Sequence, residues 1–185
     1  VRWTGNAWVE LWVREDAAAP GGLGWIEGEL SDAKLHDVLR PHGVDLPPGY
    51  TTEVNLDADS WVAGVAQSPF TGALLVLDYG FTTEEHFAQE RTEGTLRRYH
   101  AHRMDDRVLE HLGDADLTAP VDFTQVAQAA EQAGMKIAEF IEQGRFLTRL
   151  FAEGFTAAPD AATVRQFHTL THPNHMGRSF QALAL

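Results

Sequence analysis

The chain has 185 residues, 44% of them hydrophobic, which suits one domain with a sizeable core and leaves little room for a second. Acidic side chains outnumber basic ones 27 to 14, a formal charge of −13, so a surface that tracks phosphates would need strong local clustering and nucleic acid is not an expected partner. The absence of cysteine excludes disulfides, thiolate zinc sites and cysteine nucleophiles, and no run approaches the roughly 20 apolar residues of a membrane span.

In chain order, Trp3, Trp8, Leu11, Trp12 and Val13 flank the turn-like Thr4-Gly5-Asn6, and a second strand-like run over 24–30 follows a loop at 17–24. This pattern predicts an antiparallel β ribbon. Residues 33–40 predict a short helix. Pro47-Pro48-Gly49 interrupts regular structure, and Tyr50–Asn55 is expected to resume it as a strand. Asp57 or Asp59 then caps a helix reaching about Gln67, with Trp61, Val62 and Val65 packed on one side.

The continuous apolar run GALLVLDYGF at 72–81 predicts a strand covered on both faces, in the middle of a parallel sheet, ending in a turn at Asp78-Tyr79-Gly80. Thr82 and Glu85 match a capping box, so a helix is expected at once. Asp122 is the expected N-cap of the next helix, Gln125 its reciprocal partner and Gly134 its stop, with Phe123, Val126, Ala127 and Ala130 as the apolar stripe. A strand over 136–143, a short helix around 146–151, a helix opening at Asp160 and a last strand over 179–185 complete the pattern. Strands alternating with helices indicate an α/β architecture with a mainly parallel sheet, the ribbon adding an antiparallel part.

Polar groups beyond strand ends are where α/β sheets bind ligands. There Asp78 could accept from a cationic or hydroxyl group, Tyr79 could stack or hydrogen-bond, and Gly80 would allow a positive φ or a close ligand approach. Residues 91–103 combine Arg91, Tyr99, His100 and His102, groups able to cover a ligand or move protons, although a polar surface helix or loop has the same composition. Asp114, Asp116, Thr118 and Asp122 crowd the start of the following helix, Asp122 as a structural residue. The spacings of His100, His102, Asp105, Asp106, His111 and Asp116, and of His172 and His175, match no strong metal signature, and no metal is expected.

In this order, "LLVLDYGF", "RTEGTLRRYHAHR", "DADLTAPVDFTQVAQAAEQAG", "EQGRFL" and "HMGRSFQALAL" resemble the C-terminal half of a specific family. It is the S-adenosylmethionine-dependent methyltransferase family that includes the mitochondrial complex I assembly arginine methyltransferase and bacterial relatives. The resemblance runs from about Glu53 to Leu185, and "VRWTGNAWVELWV" is similar to the segment after that family's Asn-Glu and Asp-Ala-x-Pro motif. It implies the C-terminal part of a Rossmann-like class I methyltransferase sheet with an inserted antiparallel β ribbon. Residues 1–56 would be the β-rich insertion and 57–185 the C-terminal half of the α/β domain. The run at 72–81 would be the fifth strand, and the last two strands would pair antiparallel.

The resemblance further implies methyl transfer from S-adenosylmethionine, with a protein arginine as acceptor. Asp78, Tyr79, His102 and Asp116 would carry the chemistry, and Thr118 and Tyr99 would bind substrate. The cofactor's glycine loop and ribose-binding acid would lie upstream of Val1, so this chain alone would be inactive. Expected partners are a protein substrate and the N-terminal half of the same protein, in the cytoplasm of a bacterium or the mitochondrial matrix of a eukaryote. Two departures stand out. Pro120 replaces the family's usual His and supplies neither an imidazole nor a backbone N–H, and Gly21-Gly22-Leu23-Gly24 has no helix after it. The competing expectation is a lapsed methyltransferase fold kept as a scaffold for partner binding.

Overall fold

The computed structural model describes residues 1–43, 45–154 and 158–185. The first elements are β1 (Arg2–Trp3), β2 (Trp8–Glu15), β3 (Leu23–Gly28), α1 (Ala33–Leu39) and α2 (Ala58–Ala66). They are followed by β4 (Leu75–Phe81), α3 (Thr83–His86), β5 (Arg97–His100), β6 (Arg103–Asp105), β7 (Asp116–Thr118) and β8 (Val121–Asp122). The chain continues through α4 (Phe123–Gln132), β9 (Glu139–Glu142), α5 (Gln143–Gly154), α6 (Ala161–Thr171) and β10 (Phe180–Ala184).

Two compact units result. One joins Val1–Leu56 to Glu84–Pro120, the other Asp57–Thr83 to Val121–Leu185. Residues 84–120, grouped by sequence with the C-terminal part, thus pack with the N-terminal segment. They leave the second unit after β4 and return at β8, and hydropathy along the chain carries no mark of such an excursion.

In the first unit, Thr4 Oγ1 accepts from the amides of Asn6 and Ala7 at 3.4 and 3.1 Å, closing the turn that pairs Trp3 with Trp8. β2 pairs with β3 from Glu10↔Gly28 to Glu15↔Leu23, giving an antiparallel three-stranded sheet. Trp3 and Trp8 lie 5.5 Å apart, Trp8 meets Tyr50 and Phe87 edge-on, and His42 stacks on Phe87 at 3.7 Å. Such aromatic contacts concentrate much apolar burial in few residues. The strand expected at Tyr50–Asn55 does not form: Thr51 makes single bridges to Arg2 and Glu93, and the side chains beside it are committed to hydrogen bonds instead. The 91–103 segment, read as a polar helix or loop, contains β5 and the start of β6; these strands form a sheet ordered β6-β5-β7.

The second unit holds a four-stranded sheet ordered β8-β4-β10-β9. Only β4 and β8 run parallel, through Gly80↔Val121 and Phe81↔Asp122, whereas β10 is antiparallel to both its neighbours. The sheet is therefore mixed rather than mainly parallel. Nor is β4 covered on both faces, since Leu75 and Leu77 are 43% and 42% exposed. A run of apolar residues reports a strand that can be buried twice, not the direction of its neighbours or what covers it.

On the other face, Val62 of α2 and Phe123, Val126, Ala129 and Ala130 of α4 form a core with Leu183 and Leu185, against which Val76 packs. Trp61, expected beside Val62, is exposed, as only the Val62 edge of α2 turns inward. Asp122 caps α4 as expected, accepting from the amides of Thr124 and Gln125, and Gly134 ends the turn after it at φ +84°. Asp160 caps α6 through the Thr163 amide. The helix expected at 146–151 is twice as long, Gln143–Gly154. An Arg149–Glu139 ion pair fastens it to β9, and Phe151 meets Phe167 of α6 at 4.4 Å.

Candidate functional site

The expected turn at 78–80 is strand. Asp78 pairs with Gln181 and Tyr79 with Phe180 on β10, and Gly80 and Phe81 pair with β8. Gly80 has no positive φ among the described backbone; it permits a close approach by the protein itself. A Cβ there would stand 2.2 Å from the Val121 carbonyl oxygen and 2.7 Å from the Phe123 ring. Successive strand residues point to opposite faces, so Asp78 shares the face of Val76 and Tyr79 that of Leu75 and Leu77. Asp78 Oδ1 accepts from the Tyr79 amide at 2.8 Å, and the Tyr79 ring meets Phe180 edge-on at 5.8 Å.

The other four sequence candidates belong to the first unit, and three of them share a sheet face. Tyr99 is the direct partner of Asp116 across β5 and β7, and Arg97 that of Thr118. Residues directly opposite in an antiparallel pair project on the same side, as do residues two apart in a strand. Tyr99, Asp116 and Thr118 therefore lie together, and Met104 of β6, the other partner of Tyr99, joins them. Tyr99 and Met104 are 44% and 58% exposed. His102 sits beyond this row, at the tip of the hairpin joining β5 to β6. There Ala101 and His102 adopt φ of +48° and +62°, the left-handed pair that a two-residue type I′ turn requires.

Sequence reasoning missed Met104 because the turn residues that announce such a hairpin are Asn and Gly, not Ala and His. Two ionic arrangements were missed as well. The Glu53 carboxylate accepts from the Thr95 amide and hydroxyl, each at 2.8 Å, and from the Leu96 amide at 3.0 Å. Gly94, at φ +71°, makes room for it, since a Cβ there would lie 2.4 Å from Glu53 Oε1. Beside it, His86 Nε2 lies 2.9 Å from Thr52 Oγ1 and 3.0 Å from the Glu53 carbonyl, and the Tyr50 hydroxyl donates to the His86 carbonyl at 3.2 Å. Residues 50–53 thus clamp the segment that leads into β5. Glu53 and the Gly94 break were visible in the sequence, but their pairing across some forty residues was not.

On the face of β5 opposite Tyr99, Arg98 is 1% exposed and grips Asp105 with Nε at 2.9 Å and Nη2 at 2.6 Å. Arg107 binds the same carboxylate at 2.8 Å. Hydrogen bonds from Arg98 first, then from Arg107, hold the Asp105 carboxyl well below the usual carboxylate range. Glu110 is 3.7 Å from Arg98 Nη1, too far for a hydrogen bond, and that nitrogen has none among the described residues. This cluster closes the hairpin's inner side and makes Asp105 a structural residue.

The described residues of the first unit line hollows on its surface. One of about 600 Å³ is lined by Trp8, Glu27, Glu29 and His36, and one of about 460 Å³ by Arg2, Trp25, Thr51, Glu53, Glu93 and Asp106. Neither is lined by a residue expected to carry the chemistry or to bind substrate. Gly21-Gly22-Leu23-Gly24 belongs to the β2–β3 hairpin, where Gly21 faces the Leu109 carbonyl oxygen at 2.4 Å from a would-be Cβ, so it is a packing loop and does not fit a cofactor cradle. Among the described residues no three His, Cys, Asp or Glu side chains are placed to hold a metal. His100 and His111 stack at 4.1 Å.

Residues 1–141 match the model of a family described as S-adenosyl-L-methionine-dependent methyltransferase. The chain belongs to that family. It is 36% identical over 123 residues to the Drosophila melanogaster protein arginine methyltransferase NDUFAF7 homolog, mitochondrial, covering 62% of this chain and 26% of that protein. It is 26% identical over 189 residues to the Xenopus tropicalis protein arginine methyltransferase NDUFAF7, mitochondrial, covering 96% and 41%. Among solved structures it is similar to a Burkholderia thailandensis protein of the COG1565 superfamily bound to S-adenosyl-homocysteine, with 27% identity and a TM-score of 0.81 over 99% of this chain and 48% of that one. A native structure of a COG1565 superfamily protein from the same organism gives 27% and 0.82, over 99% and 50%. The chain thus spans under half of the two curated relatives and about half of these structures.

Proposed function

We propose that this chain is the C-terminal, substrate-side part of a methyltransferase that transfers the methyl group of S-adenosylmethionine to a guanidinium nitrogen of a protein arginine. The observation that carries this reading is the match over 99% of the chain to about half of a protein bound to S-adenosyl-homocysteine, the form the donor takes after losing its methyl. Two relatives named as arginine methyltransferases supply the acceptor. The open apolar face of β4 supports it too, since helices of a larger α/β domain cover such a face.

The bound cofactor supplies an electrophilic methyl carbon; its glycine loop and ribose-binding acid are assigned to the preceding part of the longer protein. What falls to this chain is to orient an uncharged nitrogen lone pair and to take up the proton that nitrogen loses. Asp78 and Asp116 are assigned the orienting role, Tyr79 and His102 contact with substrate or its proton, and Tyr99 and Thr118 binding. Pro120 takes no part in proton handling, having no donor to offer. Residues 1–56 are assigned as the inserted β-rich segment, with 84–120 folded onto it, and the protein as cytoplasmic in a bacterium or matrix-located in a eukaryote.

The test is methyl transfer from labelled S-adenosylmethionine to arginine peptides by the full-length protein. Asp78→Ala and His102→Ala should each lower kcat/KM by about 100-fold, the size of a lost positioned acid or base. Normal kcat/KM in both would remove those roles. Cofactor binding without transfer to any arginine acceptor would put the scaffold reading in its place.

A further inference from the structure

We infer that the open face of the β6-β5-β7 sheet is a guanidinium-binding platform, on which the Tyr99 ring, the Asp116 carboxylate and the Met104 side chain receive an arginine of a protein segment. The inference rests on the arginine reading above and gives it a docking surface. The row Met104–Tyr99–Asp116 is set by backbone register alone. Directly opposed residues hold their Cβ atoms about 5 Å apart, so a cation within about 6 Å of the ring centroid also comes within reach of the carboxylate.

Each group of the row offers what a guanidinium requires. Tyr99 presents an exposed aromatic face, and Met104 a polarizable, adaptable wall. Among the described residues the Asp116 carboxylate has no hydrogen-bond or ion-pair partner, although it is the carboxylate nearest the ring by register. Arg97, the cation on the same face, is held by its own neighbours: its Nη1 and Nη2 donate to the carbonyls of Leu96 and Gly94 at 2.8 and 3.2 Å.

The charge of the unit selects the partner. Its two segments hold eighteen acidic and nine basic side chains, so it carries −9 of the chain's −13. A cationic segment is drawn to such a surface and an anionic one repelled.

The experiment measures binding, not turnover. Fluorescence anisotropy of the full-length protein would use a labelled Ala-Gly-Arg-Gly-Ala peptide and its citrulline counterpart, which keeps the shape and loses the charge. The wild type should prefer arginine over citrulline by about tenfold or more, as expected for a charge-assisted hydrogen bond. Asp116→Asn should abolish that preference, and Tyr99→Ala and Met104→Ala should weaken arginine binding several-fold, all with S-adenosylmethionine affinity unchanged as the sign of a folded protein. No preference in the wild type, or an unaltered preference in Asp116→Asn, overturns the platform. If the platform passes while no methyl transfer occurs, the methyltransferase reading fails alone. If transfer occurs and Asp116→Asn still discriminates, the platform fails alone.

Discussion

Gly80 shows how a residue type can be noticed for one reason and required for another. Its place after Asp78 and Tyr79 suggested a turn open to a ligand, whereas the strand runs through it and the free space is taken by the backbone of β8 and the ring of Phe123. Replacing it with alanine pushes a methyl group to 2.2 Å from a carbonyl oxygen, where backbone, not a flexible side chain, must move. Gly80→Ala should therefore destabilise the protein by about 3 kcal/mol, at the upper end of overpacking costs. Urea unfolding would measure this, and a loss under about 1 kcal/mol would show that β4 and β8 can separate without penalty. Glu53 and Gly94 make the complementary case: each was visible in the sequence, but only their contact turns them into a lock on the segment before β5.

The β5–β6 hairpin carries the sequence candidates Tyr99 and His102 on or near its outer side and the Arg98–Asp105–Arg107 cluster within. Asp105 has a carboxyl pKa lower in the folded than in the unfolded chain, chiefly because Arg98 hydrogen-bonds to the ionised form. The sign follows from linkage: the stabilisation is present above the unfolded value of about 3.9 and is lost as pH falls through the folded one. Amide exchange in the hairpin should be flat from pH 7 to 5, after correction for intrinsic rates, with protection falling only below about pH 4. Asp105→Asn should remove that acid transition. If it persists in the variant, other carboxylates control the hairpin. The preceding helix, α3, illustrates the limits of local signals: a capping-box pattern announced it, but it lasts a single turn before the chain leaves for the other unit.

For the molecule as a whole, the dominant long-range term is a formal charge of −13 in 185 residues, more than two-thirds of it in the unit that holds the sheet face of Tyr99 and Asp116. Repulsion among these charges opposes the compact state, and salt shortens its reach from about 30 Å at 0.01 M to about 8 Å at 0.15 M. The thermal midpoint should rise over that range by scanning calorimetry. A fall would mean that ion pairs such as Arg98–Asp105 outweigh the repulsion.

Sequence by itself determined the α/β class, the helix over 123–132 with its Asp122 cap, the Asp160 cap, the first hairpin turn at Thr4–Ala7 and the family, because these rest on local hydrogen bonding, short-period hydropathy and ordered motif strings. Only tertiary structure decided that β4 lies between one parallel and one antiparallel neighbour, that 84–120 joins the N-terminal unit, and that Tyr99, Met104 and Asp116 form one row. Strand partners are chosen by contacts between residues far apart in the chain, and a strand's own side chains are equally apolar whichever way its neighbour runs.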